Sequence, residues 1–245
     1  MINHKLIEII EQMYAEDHNI LYLMDIRSKL IEYLCQEENL LSDCGNRNVI
    51  LAKDTIRVID ALNIYIVQPE MGLASEKIQP FFDKLLEKKS WDYYDVKLVA
   101  SSITLTVDVE LAIKLGNMAI VPITEARIAG DTSFIHALLA CNICSRILHG
   151  KYLEEKTTVD LDEKFMTWFK ISERLAEDDF NLRMLFLVNQ IRYAVYYQKR
   201  DLLFKLCQDV EKECSPHVSK TILSKVSFYT STRKYNADLY EGIRE

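Results

Sequence analysis

The chain has 245 residues, of which 49% are apolar, 27% charged and 10% aromatic, and it carries a net charge of −7. That composition excludes a disordered chain and leaves either one large domain or an extended helical array. Lysine and arginine stand out only as isolated pairs such as Lys88-Lys89, Lys199-Arg200 and Arg233-Lys234, so there is no basic stripe of the kind that grips phosphates, and no direct nucleic-acid binding is expected.

Residues 4 to about 38 read as two helices with the turn at His18-Asn19. A turn over Leu41 to Asn46 leads into a long helix, Arg47 to Val67, stopped by Pro69 and Gly72. Ser75 is expected to cap a helix from Glu76 to Lys89, with Pro80 as a kink or late start. Ser90 or Asp92 caps the next helix, to about Thr104, and Asp108 caps another, to Ile120. Pro122 is expected to break the chain and Thr124 to begin a short helical piece. A strongly apolar helix then runs from Phe134 to about Leu148, ended by Gly150, and a polar loop occupies Lys151 to Val159. Asp160 and Glu163 have capping-box spacing at the next helix start. Helices over Asp179 to Gln198, Asp201 to Glu213 and His217 to Thr232 follow, with Ser215-Pro216 at a turn, and Leu239 to Glu245 read as disordered.

Only 6 Gly and 4 Pro punctuate the chain. About eleven helices result, close to the mean helix length of ~11–12 residues. Thr104 to Val109 is β-prone but too short to form a sheet. Hairpins recur every ~35–45 residues, the spacing of degenerate two-helix repeats. The expected fold is all-α, a stack of helical hairpins, and such stacks bind partners on a concave face.

No apolar run reaches the ~18–20 residues needed to cross a bilayer. Glu8 interrupts Leu6 to Ile10, which reads as an amphipathic helix and not a signal peptide. Cys35, Cys44, Cys141, Cys144, Cys207 and Cys214 all lie in or beside apolar helical patterns, as buried reduced thiols do. A cytoplasmic location is expected.

Two helices carry an unusual polar face. In Asp179 to Gln198 a rotation of about 100° per residue puts Met184, Leu187, Ile191, Ala194 and Val195 on a packing side. Leu185, Asn189, Arg192, Tyr193 and Tyr196 fall opposite, where Glu and Lys would be usual. In Phe134 to Leu148 the packing side is Ala137, Ala140, Ile143, Cys144 and Ile147; Asn142, Ser145, Arg146 and His149 form the other. An asparagine amide can donate to and accept from a peptide bond, an arginine can clamp a carboxylate, and a tyrosine adds apolar area with a hydroxyl handle. Asn142, Arg146, Asn189, Arg192, Tyr193 and Tyr196 are therefore candidate peptide-binding residues. The same asparagines also fit buried ties between neighbouring helices. Asn63, among Ile56, Ile59 and Ile66, is a third candidate amide without a nearby arginine on its face.

Other motifs carry little chemistry. Cys141-Asn-Ile-Cys144 lies in mid-helix, whereas a redox pair needs a helix start, and a zinc site would need a second pair. Glu37-Glu38, Glu154-Glu155 and Asp178-Asp179 are adjacent pairs near helix ends. No metalloprotease helix, phosphate loop or glycine-rich nucleotide turn occurs. The sequence predicts no enzyme, no cofactor and no metal.

The segment Phe82 to Val121 resembles the sensor domain of Rgg/MutR-type transcription regulators of low-GC Gram-positive bacteria. The matching residues are Trp91, Tyr93, Tyr94 and Asp95, followed by Leu98, Leu105, Leu111 and Leu115. Val188-Asn189, Val195-Tyr196-Tyr197, Leu202 to Val210, and Lys225 to Tyr235 with Phe228 and Tyr229 are similar too. The resemblance implies a right-handed superhelix of helical hairpins, similar to tetratricopeptide repeats. It also implies homodimers, and a quorum-sensing role in which a short re-imported signalling peptide lies in the concave groove. It implies a leading helix-turn-helix module of roughly 60–70 residues. Here His4 to Tyr14 correspond better to the first sensor helix, so residues 1–245 read as one helical-repeat peptide-sensing domain without that module, either the sensor part of a longer regulator that reaches DNA through it or a natural version without a DNA reader. The sequence departs from the family in the helix after Trp91, where Ala100, Ser101, Ser102 and Ile103 replace an Asn and an Arg. The competing expectations are a helical-repeat adaptor binding a protein segment and, from another class, a helical-repeat phosphatase, which the lack of an acid–base pair or metal set disfavours.

Overall fold

The computed structural model describes residues 2–14, 20–38, 46–67, 71–125, 132–153, 159–177, 180–216, 219–220 and 223. These residues form ten α-helices and one 3-10 turn, with no strand among them. The helices are α1 (His4–Gln12), α2 (Ile20–Glu38), α3 (Arg47–Val67), α4 (Met71–Glu87), α5 (Tyr93–Ser102), α6 (Val109–Thr124), α7 (Ser133–Leu153), α8 (Val159–Leu175), α9 (Phe180–Tyr196) and α10 (Arg200–Glu213). The 3-10 turn, Ile103–Leu105, joins α5 towards α6. The chain divides into two compact units, Met1–Gly130 and Asp131–Glu245.

In the first unit α1 packs on α2, α2 on α3 and α3 on α4, while α1 also meets α3 and α3 meets α5. The core is aliphatic and aromatic: Leu6, Ile10, Leu23, Ile26, Leu30, Leu51, Ile59, Phe81 and Phe82 are fully buried. In the second unit α7 packs on both α8 and α9, α8 on α9, and α9 on α10. Leu187, Ile191, Ala194 and Val195 of α9 meet Leu203, Leu206 and Val210 of α10 in one cluster, with Met184 against it, which is the packing side set by helical spacing.

The opening of α5 accounts for several residues of the Trp-Asp-Tyr-Tyr-Asp segment. Trp91 is buried and its Nε1 donates to the Leu85 carbonyl at 3.1 Å, fixing the chain as it leaves α4. Asp92 is the N-cap; its side chain accepts from the Tyr94 and Asp95 amides at 3.0 and 3.1 Å. The Asp95 carboxylate returns to the Asp92 amide at 2.9 Å, completing a capping box. Asp95 is buried and also meets Arg47 at 3.1 Å and Lys88. Nearby, the buried Lys97 ammonium pairs with Glu11 at 2.5 Å and sits 4.1 Å from the centre of the Tyr14 ring, tying α5 to α1.

Several boundaries differ from those expected. α4 begins at Met71, before Ser75, and Pro80 lies inside it. Ser75 is no cap: its Oγ accepts from the Val107 amide at 3.2 Å, so tertiary contact decides its role. α6 continues through Pro122 to Thr124, whose hydroxyl bonds back to the Ile120 carbonyl at 3.0 Å instead of opening a new helix. α7 passes Gly150 and reaches Leu153. Asp160 stands inside the first turn of α8 and pairs with Lys164 at 2.6 Å, so it does not cap. The turns at His18-Asn19 and Leu41 to Gly45, most of the expected helix His217 to Thr232, and Leu239 to Glu245 lie outside the described residues. No helix among the described residues is long and apolar enough to cross a membrane.

Candidate functional site

The polar side chains singled out on α7 and α9 lie in the second unit, where these two helices pack directly together. Cys141 is at the centre. Its thiol donates to Asn189 Oδ1 at 3.3 Å, lies 3.6 Å from the Leu185 carbonyl, and receives Arg192 Nη1 at 3.7 Å. Asn189 is 1% exposed, and its Nδ2 donates to the buried Ser172 hydroxyl at 3.4 Å. One amide thus ties α7, α8 and α9.

The six candidates separate by depth. Asn189, Arg146 and Tyr196 are buried. Asn142, Arg192 and Tyr193 are partly exposed. Arg146 is 1% exposed, and its Nη1 donates to His149 Nδ1 at 2.8 Å. A guanidinium has no acceptor, so this contact requires His149 to leave Nδ1 unprotonated. Tyr193 stacks parallel to Phe165 of α8, ring centres 5.9 Å apart and planes within 6°, and lies 5.3 Å from Phe169 and 4.8 Å from Tyr197.

The reason for this sorting is that α7 and α9 each have neighbours on more than one side. A two-sided reading, one face packed and one face open, holds for a helix on a surface. Here the supposed open face of α9 meets α7 and α8, and Arg146 is enclosed as well. Sequence reasoning missed the thiol of Cys141 as the hub and Ser172 as the third tie. It also missed the aromatic layer of Phe165, Phe169, Phe186, Tyr193 and Tyr197, although Phe165, Trp168 and Phe169 already stand at helical spacing.

The two thiols of the Cys141-Cys144 motif reach different helices. Cys141 turns to α9, whereas Cys144 points to the Phe165 carbonyl of α8 at 3.9 Å. Burial pushes the Cys144 thiol well above its ordinary range and Cys141 adds to this, against the smaller opposing pull of the Arg192 guanidinium. His136 is buried on α7, and its Nε2 has no hydrogen-bond partner among the described residues. Burial, then the positive charge of Arg174, lowers its pKa below the ordinary histidine value. Among the described residues no three His, Cys, Asp or Glu side chains are placed to hold a metal ion.

The candidates that keep partial exposure are an amide on α7, Asn142, and a guanidinium and a phenol on α9, Arg192 and Tyr193, and these three are called the α7–α9 strip. Beneath Arg192 the buried Cys141, Asn189 and Ser172 side chains are hydrogen-bonded to one another. The chain matches no protein-family model, no curated protein and no solved structure.

Proposed function

We propose that this chain is the peptide-binding sensor domain of a cytoplasmic transcription regulator, which holds a short signalling peptide against the α7–α9 strip. The observation that carries the reading is the strip itself. Arg192 reaches the Cys141 thiol, Asn142 follows that cysteine on α7, both are partly exposed, and Tyr193, one residue on from Arg192, packs on an aromatic layer. Asn142 would pair with a peptide bond, Arg192 would meet a carboxylate, and Tyr193 would cover an apolar side chain. Asn189, Arg146 and Tyr196 would support these three from beneath.

Within each unit, neighbouring helices pair while α1, α3 and α5, and likewise α7 and α9, touch in sequence. That pattern supports stacked hairpins and, with the resemblance to Rgg/MutR-type sensors, a right-handed superhelix that forms homodimers. DNA would be reached through an attached helix-turn-helix module. The peptide would act by preferring one of two arrangements of that assembly.

Calorimetry on the chain with synthetic peptides copied from short reading frames beside its gene tests the assignment. One peptide is expected to bind, and the double substitution Asn142→Ala, Arg192→Ala is expected to weaken it at least tenfold without unfolding the protein. Unchanged affinity in that variant rejects the strip.

A second reading, an adaptor for a partner protein's segment, is favoured by exposed apolar side chains on the first unit, including Leu21 and Val67 at 76% and 69% exposure.

A further inference from the structure

The first unit holds a separate cleft walled by α3 and α4, with α2 paired to α3 beside it. Met24 Sδ lies 3.4 Å from Asn63 Nδ2, and Arg27 Nε donates to Asp60 Oδ1 at 2.6 Å. Position 24 therefore faces 63 and position 27 faces 60. The same antiparallel register carries Leu21 to Ile66. On the other side of α3, Lys77 of α4 reaches Asp60 Oδ2 at 3.3 Å. Between the end of α3 and the start of α4 an open cleft of about 610 Å³ remains, lined by Asn63, Ile64, Val67, Leu73, Glu76 and Lys77. That volume falls in the ~300–1,000 Å³ range of ligand sites. Of its lining residues, Val67 and Leu73 are exposed.

Two features identify the occupant. The first is the Asn63 amide. Its Nδ2 meets only a thioether, a weak acceptor, and its Oδ1 has no hydrogen-bond partner among the described residues. A peptide bond, with one donor and one acceptor, is the complement of a primary amide. The two-fold χ2 torsion of asparagine lets either end of the amide turn to the cleft.

The second feature is charge. The first unit carries 13 Lys and Arg against 20 Asp and Glu, so it holds the whole of the chain's net −7, and the second unit balances at 17 and 17. At the cleft Asp60 is shared by Arg27 and Lys77, which commits both cations. Glu76 is exposed there and forms no ion pair among the described residues. The overall field of the unit, with Glu76 as the carboxylate at the cleft that has no ion pair among the described residues, selects a positively charged partner.

We infer that this cleft docks an extended, apolar segment of a partner protein that carries a lysine or arginine. Its main chain pairs with the Asn63 amide, aliphatic side chains lie on Ile64, Val67 and Leu73, and its cation meets Glu76. This site is distinct from the α7–α9 strip and does not rest on the peptide-sensor reading.

The test is a methyl-NMR titration of the full chain with two probes, acetyl-Lys-Leu-Val-Leu-Lys-amide and acetyl-Glu-Leu-Val-Leu-Glu-amide. The basic probe is expected to shift the methyl signals of Ile64, Val67 and Leu73 and to bind at least tenfold more tightly than the acidic one. Glu76→Lys is expected to reverse that preference, a readout that a purely structural glutamate would not move. Asn63→Leu is expected to weaken both probes about fivefold while the remaining methyl spectrum stays native. Equal binding of both probes in the wild type overturns the inference, as does silence of these methyls at millimolar probe. Shifts confined to α7 and α9 overturn it too, while leaving the strip reading intact. Concentration-dependent shifts of the same methyls without probe assign the cleft to a second copy of the chain and likewise overturn it.

Discussion

Cys141 Sγ donates to Asn189 Oδ1 at 3.3 Å, and this single contact joins the α7 and α9 helices at a point sealed from water. The Asn189 amide continues to Ser172, so a side chain that sequence spacing offers as a recognition group acts first as a brace. Replacing it takes the shared amide from the buried Ser172 hydroxyl and Cys141 thiol, the thiol keeping the Leu185 carbonyl at 3.6 Å. Asn189→Ala is expected to cost about 2–3 kcal/mol in urea unfolding. Arg192→Ala, partly exposed and bonded to a thiol, is expected to cost under ~1 kcal/mol. Equal losses in the two variants would contradict the division of the six residues by depth.

The α5 cap offers a second check. Burial alone would raise the Asp92 carboxyl, but the Arg47 guanidinium, at 2.5 and 2.9 Å, together with the Asp95 amide and Lys88, holds it below the ordinary carboxylate value. Asp92→Ala is expected to cost about 1 kcal/mol, as for other lost caps. Asp95→Ala removes a buried carboxylate shared by Arg47, Lys88 and the Asp92 amide, and is expected to cost more, about 2–3 kcal/mol. Chemical denaturation of the two variants would order them; the reverse order would show that the cap, not the buried charge, sets the stability of α5.

His136 gives a signed pH dependence. Its folded-state pKa is lowered by burial and Arg174, so the unfolded chain binds its proton more readily. The contribution of His136 is fully present above the unfolded histidine pKa of ~6.5 and declines as the pH falls below it, towards the folded value. The melting temperature of the wild type is expected to drop more between pH 7.5 and 5.5 than that of His136→Gln. Parallel curves for the two proteins would refute the assignment.

Thiol reactivity should follow burial. Cys35 is exposed, whereas Cys141 and Cys144 are enclosed and the Cys144 thiol is pushed up by burial. Native alkylation followed by peptide mass analysis is expected to label Cys35 faster than Cys144 by on the order of 100-fold, because the inner thiol must wait for local opening. Comparable labelling rates would indicate that the α7–α8 contact is open in solution.

Much of the secondary structure was legible in the sequence because helical periodicity is a local property. The packing side of α9, Asp108 as a cap, and Asp92 as one of two residues, with Ser90, able to cap α5, follow from residues within a turn or two. Ser75, Pro122 and Gly150 carry boundary signals, yet the helices pass through them, and Pro80, a kink or late start by sequence, lies inside α4. Propensity at such positions costs at most a few kcal/mol, and tertiary packing offsets it. The candidate site was legible only as composition. Spacing brings Asn189 and Arg192 to one side of α9, but whether that side meets water depends on where α7 and α8 lie, and that is set by contacts some fifty residues distant.

The most direct measurement of the central claim is hydrogen exchange of the intact chain with and without a bound apolar octapeptide identified by calorimetry. Protection is expected to rise in the amides of α7 from Phe134 to Leu148 and of α9 from Leu182 to Tyr196, and to vanish in Asn142→Ala, Arg192→Ala. Protection that leaves both helices unchanged, or that persists in the double variant, would contradict peptide sensing at this strip.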